Sequence, residues 1–168
     1  MIAQSEKSTS WRALAYFNLY RILLAGLFVV LSQIGQLPEP LGSFDKRLFT
    51  LVSQIYLITA VIFSLFIYNR FPRFNLQIAF HVLIDVIMLS LLMYSSNGLS
   101  SGFGMLLVIA VAGGSILRVG KIAILFAAIA TLSVLGHEVY IQLFQYSHQY
   151  NYTHAGILGA TFFVTAVF

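Results

Sequence analysis

The sequence predicts an all-α integral membrane protein: a bundle of six transmembrane helices with both ends on the cytoplasmic side. Three observations carry this. Hydrophobic residues make up 60% of the 168 and charged residues 8%, whereas soluble domains run at roughly 45–50% and about 25%. The apolar residues gather in runs long enough to cross a bilayer. Lys and Arg collect in alternate connections. A soluble domain of this size has more surface than so few ionisable side chains can cover, so the excess apolar surface must meet lipid.

A spanning helix needs about 20 mostly apolar residues, each rising ~1.5 Å. Residues 1–12 are polar and read as a cytoplasmic tail, and no small-residue cleavage site follows the first apolar run, so that run is an uncleaved anchor. It extends over about 13–34, contains Arg21, and ends before Pro38 and Pro40. The second span, about 48–68, has no charge. The third, 74–95, contains His81 and Asp85. The fourth is expected at about 99–117, the fifth at about 122–144 with His137 and Glu138 late in its run. The sixth starts near Ala155 and is still apolar at Phe168, which leads us to expect a truncated helix and a longer parent protein.

Orientation follows from the short connections. With the N-terminus inside, Lys7, Arg12, Arg21, Arg70, Arg73, Arg118 and Lys121 lie on the cytoplasmic side, leaving only Lys46 and Arg47 outside. Outer connections are short, so anything recognised from outside is recognised at or within the membrane. The net charge of +4 is therefore a topology signal; no basic cluster interleaved with aromatics suggests nucleic acid. Without cysteine, disulfides, Cys-ligated metal and thiol catalysis are excluded.

Motif fragments lead nowhere catalytic, and we expect no catalytic residue and no metal site. Gly98-Leu99-Ser100-Ser101-Gly102 matches G-x-S-x-G, but it falls in a turn between two membrane helices and not on the strand–helix elbow that the motif requires. His137-Glu138 opens like H-E-x-x-H, yet position 141 is Ile. His137, His148 and His154 fall near the outer face among Tyr146, Tyr150 and Tyr152, as a titrating cluster or as an ordinary aromatic belt.

Asp85 is the residue that composition does not explain. At the middle of the third span an acid costs ~2.5–3.5 kcal/mol on insertion scales. His81, one turn earlier, can face the same way. Arg21 lies within about 4.5 Å of Asp85 in depth when each is counted from the inner end of its helix, so the two charges can pair. Otherwise Arg21 snorkels to the inner headgroups, with Asp85 held by His81 or protonated. Asp85, His81, Arg21, Glu138 and His137 are the candidates for intramembrane sensing or coupling. Small residues at Ala110 and Gly114, and at Ala123, Ala127 and Thr131, form stripes for helix packing or for docking a partner helix. The pair Gly113-Gly114 adds a candidate hinge.

The run from Ile84-Asp85-Val86 through Ser96-Asn97-Gly98-Leu99-Ser100-Ser101-Gly102-Phe103-Gly104 to Leu117-Arg118-Val119-Gly120-Lys121 resembles the sensor region of PilS-like histidine kinases, as does the opening Tyr16-Phe17-Asn18-Leu19-Tyr20-Arg21. The resemblance implies a bacterial two-component sensor of the inner membrane that regulates type IV pilin transcription. It implies a homodimer, a pilin transmembrane helix as input and a PilR-like response regulator as output. ATP and Mg²⁺ would serve a kinase module beyond Phe168; the fragment itself needs no cofactor. The alternative is a small six-span transporter or channel with Asp85 in the substrate or proton path, against which stand the absence of an internal repeat and the single central acid.

Overall fold

A computed structural model describes residues 2–34, 37–69, 74–117, 121–144 and 152–167. Among these the elements are α1 (Ile2–Ile34), α2 (Lys46–Asn69), α3 (Phe74–Ser95), α4 (Phe103–Leu117), α5 (Lys121–Phe144) and α6 (Tyr152–Val167), with a 3₁₀ turn at Gly98–Ser101 and no strand. Within the described residues, Trp11–Ile34, Lys46–Asn69 and Leu76–Ser95 are long and apolar enough to cross a membrane, whereas Phe103–Ser115, Ala123–His137 and Thr153–Val167 are shorter apolar helices.

Several boundaries differ from the sequence reading, three of them for reasons that can be named. The polar stretch expected as a tail continues α1 back to Ile2, since it holds neither Gly nor Pro to stop a helix. α2 begins at Lys46 because Asp45 caps it: its Oδ1 accepts the N–H groups of Arg47 at 2.9 Å and Leu48 at 3.0 Å. α4 begins at Phe103 and not near Leu99. Asn97 (φ 68°), Gly98 (φ 69°) and Gly102 (φ 79°) are left-handed, and a right-handed helix does not run through such residues. At 15 residues, α4 spans about 22 Å, less than a hydrocarbon core of about 30 Å.

The loop before α2 is strapped to the outer end of α3. The N–H groups of Phe44 and Asp45 both donate to the Ser95 carbonyl at 3.1 Å, and that of Gly42 donates to Ser96 Oγ at 2.9 Å. These bonds fix the relative heights of α2 and α3, and with them the level at which polar side chains of the two helices meet.

α1 packs on α2, α2 on α3, α3 on α4, α4 on α6 and α5 on α6, with α3 also touching α5. Half of the Leu76–Ser95 apolar stretch is buried against 28% in α1 and α2, so α3 is the central helix. α1 shows the inverted pattern of a membrane helix. Leu19, Leu23, Leu27 and Val30 face outward, while Asn18, Arg21 and Ser32 face inward. In the outer half, Phe28 meets Phe103 edge-on at 5.4 Å and Phe49 at 6.0 Å.

α4 runs unbroken through Gly113 and Gly114. These glycines serve close approach: a Cβ on Gly113 would collide with the Phe17 ring of α1, and one on Gly114 would lie 2.6 Å from Val82 Cγ2 of α3.

Candidate functional site

The interface of α1, α2 and α3 holds a polar cluster. α1 contributes Asn18 and Arg21, one turn apart; α3 contributes Gln77, His81 and Asp85 at successive i, i+4 positions. α2 runs the other way, so Tyr56 comes level with Asp85, while Phe63, two turns further on, comes level with His81. Arg21 Nε lies 2.6 Å from Asp85 Oδ1, with the residues 0% and 1% exposed. This is an ion pair without an aligned hydrogen bond from Nε. The same carboxylate oxygen accepts from Tyr56 Oη at 2.8 Å.

The guanidinium is held on its other edge by His81, whose Nδ1 is 2.6 Å from Arg21 Nη1. Arginine only donates. His81 Nδ1 is therefore the acceptor and the ring proton sits on Nε2. Phe63 stacks on the His81 ring at 4.2 Å and 26°. The guanidinium carbon lies 5.3 Å from the Phe63 ring centroid and 5.5 Å from that of Tyr56, within cation–π range. One positive and one negative charge cancel, so the cluster as a whole is neutral. Asn18 Nδ2 adds a bond to the Ala60 carbonyl at 3.2 Å, tying α1 to α2.

The cluster contains no activated nucleophile. What it does is hold three helices in one relative register. A slide of α3 by one turn would carry Asp85 about 5.4 Å and leave two unpaired ions in an apolar interior, which is costly.

The structure thus brings Arg21, Asp85 and His81 together, and Arg21 does not snorkel. It does not bring His137 to them. His137 lies at the outer end of α5, edge-on to Tyr94 at 5.6 Å, beside the Tyr94–Tyr140 and Phe44–Tyr94 ring pairs. The Glu138 side chain and His148 lie outside the described residues, and His154 is exposed. Among the described residues no three His, Cys, Asp or Glu side chains gather as metal ligands. Ser101 Oγ donates to the Gly98 carbonyl at 2.6 Å, closing the turn.

The small-residue stripes, read from the sequence as surfaces for helix packing or for docking a partner helix, lie against helices of this same chain. Ala110, Ala123 and Ala127 are buried, Gly114 meets Val82, Gly113 meets Phe17, and Thr131 packs where Gly159 of α6 lacks a Cβ. Tyr56, Phe63, Asn18 and Gln77 escape the sequence reading. The signal for them is a Tyr in mid-span, away from the interfacial belts where Tyr concentrates, and amides inside apolar runs.

A family model described as the PilS-like transmembrane domain matches residues 3–168. The sensor protein kinase PilS of Pseudomonas aeruginosa is 33% identical over 156 residues, which is 93% of this chain and 29% of that protein. The chain therefore spans under a third of that relative's length. No solved structure matches. On these matches, the chain belongs to the PilS-like transmembrane domain family and is a multi-pass domain of the bacterial inner membrane.

Proposed function

We propose that this chain is the signal-sensing membrane domain of a two-component histidine kinase. It detects a pilin subunit's hydrophobic helix within the lipid and sets the rate at which the parent protein phosphorylates its own histidine from ATP and Mg²⁺. The phosphoryl group then passes to an aspartate of a PilR-like response regulator. The observation that carries this reading is the family match over residues 3–168. Short outer connections support recognition inside the membrane.

The proposed signal would pass along the helix packing. α3, bearing Asp85 and His81, meets α4 where Val82 abuts Gly114. α4 is bonded to α6 through Ser115 Oγ, which donates to the Thr165 carbonyl at 2.9 Å. From α6, the last of the six helices, a cytoplasmic module would be driven. A transporter reading loses its main support, since Asp85 is engaged by Arg21 and Tyr56.

The test is autophosphorylation of the full-length protein in proteoliposomes, with a pilin transmembrane peptide titrated against a scrambled one. A saturable, several-fold change with the pilin peptide alone is expected. Equal rates with both peptides would remove pilin as the input, and equal rates with and without the membrane domain would overturn the sensor reading.

A further inference from the structure

A groove of about 390 Å³ opens between the outer ends of α4 and α6. Leu99 of the 3₁₀ turn and Met105 of α4 face Ile157, Leu158 and Thr161 of α6 across it, and His154 completes the wall. Met105 is 74% exposed and Ile157 62%, so the groove opens sideways onto the bilayer. His154 stands in the first turn of α6, and Thr161 is seven residues on, ~10 Å further along the axis. With the N-terminus inside, the groove therefore runs inward from the outer end of α6, within one half of a hydrocarbon core of about 30 Å. Its polarity is graded along that length. The Thr161 hydroxyl donates to the Ile157 carbonyl at 2.9 Å, so below His154 no lining side chain calls for water. His154 alone puts a polar side-chain group at the mouth.

We infer that this groove holds one acyl chain of an outer-leaflet phospholipid, with the polar head level with His154. The occupant has to be apolar along its length and polar at one end, which is the chemistry of a phospholipid. A transmembrane helix fits the walls poorly. Helices in lipid pair where small residues let backbones approach, and the small residue of α4 in this wall is already covered: a Cβ on Gly104 would lie 2.7 Å from Leu158 Cδ2. A helix is also about 10–12 Å across, whereas a single acyl chain is thin and flexible enough to follow a cleft between two helices. What holds it is contact. Dispersion attraction is small per atom pair and large in sum, and a chain in the groove is walled by α4 and α6 where a chain on a flat helix face meets protein on one side. The site does not depend on the sensor reading.

The test is photocrosslinking of the full-length protein with a diazirine analogue of methionine, in vesicles of phosphatidylethanolamine and phosphatidylglycerol and again after exchange into detergent. Met105 reports on the groove, and Leu23→Met reports on an open face of α1 with similar exposure, 66% against 74%. In vesicles both positions should give lipid adducts. In detergent the adduct at Met105 should persist while that at Leu23→Met falls several-fold. Thr161→Trp fills the groove and should cut the retained adduct at Met105 several-fold; Ile157→Trp serves if that variant does not fold. Equal loss from both positions in detergent would reduce the groove to ordinary bilayer contact and overturn the site. Adducts at Met105 to a second copy of the chain or to another helix in place of lipid would overturn it too, as would a retained lipid adduct unchanged by a folded Trp variant.

Discussion

Replacing Asp85 with alanine strands the Arg21 guanidinium in a position with no solvent exposure. Opposite charges 2.6 Å apart attract by about 6 kcal/mol at an effective dielectric near ~20. Desolvation of the two ions cancels most of that, which is why an intact buried pair adds little net stability. Removing one partner is different, because the other keeps its desolvation cost without the attraction; such changes cost about 3–5 kcal/mol. Arg21→Ala and Asp85→Ala should each fall in that range. The double alanine variant removes both ions and leaves Tyr56 and His81 each short of a partner, a cost of about 1–3 kcal/mol per group at most. It should therefore be clearly less destabilised than the sum of the single changes, by about 3 kcal/mol, or roughly a hundredfold in the unfolding equilibrium. Arg21→Asp/Asp85→Arg should recover part of the loss and not all, since the exchanged charges face Tyr56 and His81 the wrong way round. Steric trapping or SDS titration of the four variants in bicelles measures each corner of the cycle. Single effects that add to the double within about 0.5 kcal/mol would refute the coupling.

Tyr56→Phe removes only the hydroxyl that donates to Asp85 at 2.8 Å; a bond to a charged acceptor contributes about 1.5–3 kcal/mol, and a melt of the membrane domain should register a loss of that order. Gly114→Leu drives a side chain into Val82 and should lower stability by about 1–3 kcal/mol or more, measured by the same melt, whereas Leu23→Ala on the exposed face of α1 should change little. If the proposed kinase module follows α6, each residue inserted directly after the helix would rotate that module by ~100°, so across one to four insertions kinase activity should vary with helical periodicity; a flat series would mean that α6 only anchors.

The parts of this site that can be read in the sequence are those where a charge meets an apolar run. Asp85 and Arg21 stand out because ions are rare inside membrane helices, and depth counted along two parallel helices places them within about 4.5 Å of each other. His81 follows from the helical repeat. Tyr56 does not stand out by composition, since its ring is apolar and only its depth in α2 is unusual. Its partner cannot be named without the height of α2 relative to α3, which the bonds from Phe44, Asp45 and Gly42 to Ser95 and Ser96 determine. The small-residue stripes are visible in the sequence but their neighbours are not. Spacing shows that Gly114 permits close approach; it does not show whether the approaching helix is α3 of the same chain or a partner. The start of α4 is hidden for a local reason: Leu99 to Ser101 look compatible with a helix until the left-handed residues on either side are known.

The most direct test joins the Arg21 cluster to output. On the proposed function, full-length protein carrying Arg21→Ala, Asp85→Ala or Arg21→Asp/Asp85→Arg would be assayed for the proposed pilin-dependent autophosphorylation in proteoliposomes, after each is shown to be folded and inserted. If the α1–α2–α3 lock transmits the signal, each single variant holds the kinase at one fixed activity whatever the pilin level, and the exchanged pair regains part of the response. Single variants that fold, insert and respond to pilin as the parent does would contradict it.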